Sequence, residues 1–318
     1  MKNWIWILLV GLLAGCGQAE ETSPVPSEAE VLQAAPLETV TPFLLSVEQV
    51  QEKLDAPGWV WLDVRTEEAY NKGHIPGAIQ IYRPDFQSTA HAYKGMMPAK
   101  SELAAKLSEK GISPGDTLIL YDNDGNVNAA RLWWLLHQFG HEQAVLLHGG
   151  YRLWTNRQLP IDTLTPTIQP KAYLFANEEK PTLHISKEEV LAAMDDPNYL
   201  IVDTRSWEEY SGQQQKAGAS RPGHIPGSIW CDYIYTLNYD GDYTFRSVAE
   251  LAQLFTEKGI TKDKTIITYC HTGVRSALTL YVLQELLHYP DVRNYDGSWV
   301  EWSYHPELPA AIVDTLMQ

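Results

Sequence analysis

Cysteine is scarce in this chain: Cys16, Cys231 and Cys270 are the only three in 318 residues. Three thiols build neither a disulfide-stapled scaffold nor a four-cysteine zinc site, so each needs its own explanation. Positive charge is short as well. Lys and Arg number 24 against 40 Asp and Glu, a formal net charge of −16 that repels phosphate backbones and anionic headgroups. Nucleic acid is therefore excluded as a partner, and an anionic substrate would need a local basic pocket set against that field. Hydrophobic residues at 44% and aromatics at 11% supply enough apolar surface for packed cores, which excludes disordered, collagen-like and coiled-coil classes. The length suits two domains of roughly 100–200 residues each.

The first cysteine is explained by its position. An apolar run from Trp4 to Leu13, broken only by Gly11, follows the single charge of Lys2 and leads into Leu13-Ala14-Gly15-Cys16. A membrane-spanning helix needs about 20 apolar residues, so this run reads as the core of a signal peptide. The Leu-Ala-Gly-Cys ending resembles a bacterial lipobox, which implies lipid modification of Cys16 after cleavage. Residues 1–15 are then a lipoprotein signal peptide, and removing them takes away Lys2 and no acid, leaving −17. Residues 16–42, with Glu20, Glu21, Pro24, Pro26, Glu28 and Pro36, read as a solvated tether. The expected location is the exported, periplasmic side of a bacterial membrane. Gly17 after Cys16 favours the outer membrane, because the aspartate associated with inner-membrane retention is missing.

Beyond the tether the chain is written twice. Ser46-Val47-Glu48-Gln49-Val50 recurs as Ser186-Lys187-Glu188-Glu189-Val190, and Trp61-Leu62-Asp63-Val64-Arg65 as Ile201-Val202-Asp203-Thr204-Arg205. Gly73-His74-Ile75-Pro76-Gly77 returns as Gly223-His224-Ile225-Pro226-Gly227 ten residues later than that register, so the second copy has gained residues near Gln213 to Arg221. That stretch is rich in Gln, Gly and Ser and reads as a surface loop. Leu118-Ile119-Leu120-Tyr121 matches Ile266-Ile267-Thr268-Tyr269, and Gly149-Gly150-Tyr151 matches Gly297-Ser298-Trp299. The period is too long for a solenoid unit and implies tandem domains of one fold, at 43–162 and 182–318, with a linker over 163–181.

Within the second copy, strands are expected near Leu200–Asp203, Ile229–Trp230, Thr265–Tyr269 and Val292–Tyr295. Helices are expected over Lys187–Met194, Val248–Lys258 and Arg275–Leu287. Strands alternating with helices make an α/β chain, each domain a mainly parallel sheet flanked by helices. Ligands in such sheets sit beyond the carboxyl ends of the strands.

Cys270 lies at such an end, in Tyr269-Cys270-His271-Thr272-Gly273-Val274-Arg275-Ser276. A short loop with a central glycine, wound against a helix start, turns backbone N–H groups inward as an anion nest, and Arg275 adds a cation; both lower a thiol pKa. His, Thr, Gly and Arg fill a core poorly and suit a solvent-reached loop. Cys231, after Ile229-Trp230, reads as packing, although a Cys231–Cys270 disulfide is an open alternative in an oxidising compartment. Trp133 and Trp134 read as interdomain or core aromatics. The two Gly-His pairs stand far apart without ligand spacing, so no metal is expected.

These residues resemble the tandem-domain rhodaneses, sulfurtransferases that carry sulfur as a cysteine persulfide. The marks are the two Asp-x-Arg strand ends, the two Gly-His-Ile-Pro-Gly segments, the loop from Cys270 to Arg275 and the late Gly-Gly-Tyr and Gly-Ser-Trp segments. The resemblance implies that Cys270 takes sulfur from a small donor and hands it to a thiophilic acceptor such as cyanide or a thiol, with no cofactor. It implies a persulfide cradle of Cys270, His271, Thr272, Gly273, Val274 and Arg275, with Arg205 leaning toward the pocket. Copy one carries Asp122-Asn123-Asp124-Gly125-Asn126 in the loop position and is expected to be an inactive wall of the cleft. The loop matches neither the Cys-Arg-Lys-Gly-Val-Thr of thiosulfate-preferring members nor the Cys-Gly-Ser-Gly-Val-Thr of 3-mercaptopyruvate-preferring ones. Thiosulfate is the expected donor because an exported protein meets inorganic sulfur anions; 3-mercaptopyruvate is the alternative. A cysteine phosphatase would place five residues between Cys and Arg, whereas Cys270 and Arg275 enclose four. A non-catalytic sulfur carrier or redox module tethered at the membrane is the rival from another class.

Overall fold

The computed structural model describes Leu37, residues 41–176 and residues 183–313. The leader, Cys16 and most of the tether lie outside the described residues. Among those described, no helix is long and apolar enough to cross a membrane.

Each copy forms a five-stranded sheet in which every ladder is parallel. Copy one runs β1 (Leu44–Leu45), α1 (Val47–Gln51), β2 (Trp59–Asp63), α2 (Glu67–Lys72), β3 (Ile79–Gln80), α3 (Lys100–Glu109), β4 (Thr117–Tyr121), α4 (Val127–Phe139), β5 (Ala144–Leu147) and α5 (Gly150–Asn156). Copy two runs β6 (His184–Ile185), α6 (Lys187–Ala193), β7 (Tyr199–Asp203), α7 (Trp207–Ser211), β8 (Ile229–Trp230), α8 (Val248–Glu257), β9 (Thr265–Tyr269), α9 (Arg275–Tyr281), β10 (Val292–Tyr295) and α10 (Ser298–Tyr304). The strand orders are β1-β5-β4-β2-β3 and β6-β10-β9-β7-β8, one topology used twice.

Local chemistry explains the repeated motifs. Ser46 and Ser186 each cap a helix reciprocally with the residue three further on, Gln49 and Glu189, satisfying two orphan N–H groups at each start. β4 and β9 are buried over their last four residues, Thr268 included, because both faces of a central parallel strand are covered by helices. His74 and His224 stack on Tyr70 and Tyr210 at 3.8 and 3.9 Å, and their backbones bridge to Asp162 and Ala311. The Gly-His-Ile-Pro-Gly segments are thus structural corners.

Three expectations are refined. The helix from Arg275 ends its α-helical part at Tyr281 and continues as a π turn over Val282–Leu286. The short β6, α7 and α10 carry too few residues to show a period in the sequence. Residues 163–176 carry no helix or strand, yet Tyr173 and Phe175 are buried there and Lys100 Nζ donates to Ala176 O at 2.8 Å, so this stretch is laid against copy one.

The copies share a core. One apolar cluster takes in Leu120, Trp133 and Leu136 from copy one with Leu237, Leu278 and Tyr281 from copy two. The Trp133 ring meets Tyr281 edge-on at 4.9 Å, and Trp134 Nε1 donates to Leu183 O at 3.0 Å. Both tryptophans are interdomain residues. Copy one therefore reaches the carboxyl end of β9, where the chemistry was expected.

Candidate active site

Cys270 follows β9 directly and lines a cavity of about 400 Å³. Its partners in that wall are Arg83, Val127 and Asn128 of copy one with Lys216, Ala217, His271, Thr272, Val274 and Arg275 of copy two. Three of these are Arg or Lys and none is a carboxylate, which makes this the basic pocket that an acidic protein needs for an anionic substrate.

The loop is shaped by where its polar groups go. The Ser298 hydroxyl accepts from Cys270 N at 3.1 Å and Gly273 N at 3.0 Å, and donates to Tyr295 O at 2.8 Å. Trp299 N and Val300 N donate to the carbonyls of Cys270 and His271 at 3.0 and 3.1 Å. Asn294 Nδ2 and Arg131 Nη1 hold the Gly273 carbonyl at 3.0 and 3.2 Å. With those carbonyls pinned outward, the Thr272 and Ser276 N–H groups are turned toward the sulfur. Gly273 sits at φ +71, and a Cβ there would lie 2.7 Å from Asp296 O and 2.9 Å from Arg131 Nη1. Only glycine fits.

Burial opposes ionisation of the Cys270 thiol, but Arg275, the Ser276 N–H and hydroxyl and the Thr272 N–H outweigh it, bringing the pKa down to about 7. Among the described residues the buried Ser276 hydroxyl has no other partner. Cys231 shows the opposite case: burial pushes its thiol up to about 12. Both cysteines are free thiols. His271 contributes no charge, because burial pushes its pKa down to about 4; its Nε2 meets Ala217 O at 3.0 Å and ties the inserted loop over the site.

The structure corrects two site assignments. Arg205 does not line the cavity: its guanidinium forks onto Asp203, with Nε to Oδ1 at 2.9 Å and Nη2 to Oδ2 at 2.6 Å, and Nη2 also reaches Gly223 O at 2.8 Å. It lies 1% exposed between the Tyr269 and Trp299 rings, and Arg65 repeats the same bonds to Asp63 and Gly73 in copy one. Gly273 likewise does not offer its N–H to a ligand, since Ser298 takes it. Arg275 lines the cavity as expected, with both terminal nitrogens on Glu209 at 2.6 and 2.9 Å. Glu209 is held low by that pairing despite its burial.

Sequence reasoning missed Arg83, Lys216, Ser276, Ser298 and Arg131. Ser276 follows the loop and reads as the first turn of a helix. Arg83 and Arg131 carry no motif. In copy one the nest is closed: the Asp122 carboxylate accepts from Asp124, Asn126 and Asn128 N–H at 2.8, 2.8 and 2.7 Å and from Ala129 N–H at 3.2 Å.

Comparison with known proteins recovers the duplication. The profile of the rhodanese-like domain matches residues 46–157 and again 186–305. The chain is 31% identical to the thiosulfate sulfurtransferase of Azotobacter vinelandii over 85% of this chain and 97% of that protein. It is 34% identical to the sulfur carrier protein TtuD of Thermus thermophilus, over 84% and 96%. Among solved structures, the anaerobic ergothioneine biosynthesis enzyme of Chlorobium limicola superposes with a TM-score of 0.75 at 25% identity, covering 85% of this chain and 70% of that one.

Proposed function

The chain belongs to the rhodanese family of sulfurtransferases, and on that premise we propose that it is a thiosulfate sulfurtransferase working through a persulfide on Cys270. The observation that carries this reading is a thiol with its pKa brought down to about 7 in a cavity lined by three cations and no carboxylate. A thiolate there is the nucleophile, and its charge is already stabilised before a donor arrives. It attacks the outer sulfur of thiosulfate. The new S–S bond forms as the bond to the sulfonate sulfur breaks, and that electron pair leaves with sulfite. The persulfide anion takes the place of the thiolate beside the Thr272 and Ser276 N–H groups. Cyanide or a thiolate acceptor then attacks the terminal sulfur and returns the electron pair to Cys270. Two half-reactions through one covalent intermediate give double-displacement kinetics. The leader sequence supports a further part of the proposal, that the protein works exported and lipid-anchored through Cys16.

The test is the mass of the intact protein after incubation with thiosulfate or with 3-mercaptopyruvate. Wild type gains one sulfur from thiosulfate, and Cys270→Ser gains none while keeping its fold. Normal turnover by the serine variant would overturn the assignment.

A further inference from the structure

Among the described residues five positive side chains stand in or next to the site, and three of them are already neutralised; Arg131, on the Gly273 carbonyl, is paired with Asp296. Arg205 is locked on Asp203, and Arg275 is matched by the Glu209 carboxylate, so its field acts on the adjacent thiolate but its terminal nitrogens are taken. Arg83 and Lys216 differ. Both line the cavity with Cys270, and neither pairs with a carboxylate among the described residues. Arg83 begins the 3-10 turn Arg83–Phe86 in copy one, where Pro84 stiffens the backbone, and its Nη2 donates to Thr272 Oγ1 at 2.7 Å. A Cβ at Gly95 of copy one would stand 2.6 Å from Thr272 Cβ, so the two copies are in close contact at this point of the loop. Lys216 comes from the segment that copy two has in excess and is exposed.

The charges of the reaction call for such a pair. A thiolate and a thiosulfate dianion bring three negative charges into the cavity, and Arg275 with Glu209 sums to zero. We propose that Arg83 and Lys216 together form the subsite for the departing sulfonate group of the donor, so that the second charge of the donor is read by copy one and by the insertion. This rests on the reading of Cys270 as the sulfur-accepting nucleophile. The subsite favours dianionic donors and holds sulfite as it leaves; Arg275 serves the sulfur instead.

The experiment uses full-length protein with cyanide as acceptor and two donors of one geometry: thiosulfate, and methanethiosulfonate, in which a methyl group replaces one sulfonate oxygen and one charge is lost. Charged hydrogen bonds of this kind carry on the order of a tenfold effect or more. Arg83→Met and Lys216→Met are each expected to raise KM for thiosulfate about tenfold with kcat within about twofold, while KM for methanethiosulfonate rises by less than about threefold. Arg83→Lys is expected to recover most of the loss. The pH profile of Cys270 alkylation should stay where it is in Lys216→Met. Lys216 is exposed, so its variant folds and carries the test even if Arg83→Met does not. Unchanged KM for thiosulfate in Lys216→Met, or an equal rise for both donors, overturns the subsite. Failure of wild type to take sulfur from thiosulfate would instead overturn the reading beneath it.

Discussion

Ionisation of Cys270 can be moved without touching the sulfur. A thiol brought from its ordinary value near 9 to about 7 has its anion stabilised by about 3 kcal/mol relative to the neutral form. Burial works against this, so the favourable interactions exceed that figure, and Arg275 is the largest of them. Removing Arg275 alone would leave the buried Glu209 carboxylate without its partner, so the informative perturbation is the joint replacement Arg275→Met with Glu209→Gln. The expected result is a rise of the thiol midpoint to about 8 or above, which cuts the thiolate fraction at pH 7 from about one-half to about one-tenth or less. The assay is the rate of alkylation by iodoacetamide between pH 5 and 10, followed by intact mass. Cys231, held protonated by burial, stays silent over most of that range. The limiting rate at high pH should match wild type, and sulfur transfer lost at pH 7 should return at pH 9. A midpoint that stays near 7 in the double variant would refute the role given to Arg275 and leave the Thr272 N–H with the Ser276 N–H and hydroxyl as the cause.

Arg205→Met breaks a buried, fully bonded pair with Asp203 and is expected to lower unfolding stability in urea by about 3–5 kcal/mol. In the folded fraction KM for thiosulfate should be unchanged; a tenfold rise in KM with normal stability would return Arg205 to donor binding. If Cys16 is the lipid-bearing residue, cells fed labelled palmitate should yield labelled protein in wild type and none in Cys16→Ser, and globomycin should block maturation. An unlabelled, fully processed wild type would remove the membrane anchor from the proposal.

Duplication, parallel α/β architecture and the reactive cysteine were legible because each leaves a local trace. The offsets between repeated motifs locate equivalent strands, and a cysteine between a β run and a helix start is at a strand end whatever the tertiary detail. The observed strands Ile229–Trp230, Thr265–Tyr269 and Val292–Tyr295 coincide with the expected ones for this reason. Direction was not legible. Asp203-Thr204-Arg205 puts an arginine at the right end of β7, but only the packed structure shows the guanidinium folded back on its own aspartate between two rings. Arg83 left no trace because its place depends on how the copies pack, and the nearest cue, Arg-Pro-Asp-Phe, reads as a turn. The insertion is exposed over residues 213–218, as its composition implies, while its position over the cavity comes from His271 reaching Ala217.

Copy one shows what the loop geometry is for. With an aspartate in place of the cysteine, four N–H groups converge on a carboxylate that the chain itself supplies, and Asn126 takes over the task Ser298 has in copy two. Its Nδ2 donates to Leu147 O at 2.6 Å, as the Ser298 hydroxyl does to Tyr295 O, and it holds that position at φ +65. A nest that binds a carboxylate this fully is an anion site already occupied, so copy one has no room for a donor there. Copy two places a thiol at the same point, where the anion is the sulfur and the charge must come and go with the reaction. The first nest is closed by its own aspartate, which leaves copy one to act through the surface it turns toward Cys270. That surface carries Arg131, which fixes the Gly273 carbonyl, and Arg83, which lines the Cys270 cavity. Catalysis in one copy is thereby coupled to the packing of the other: a second domain cut free would keep its cysteine, Ser298 and Arg275 and lose the wall that fixes the loop.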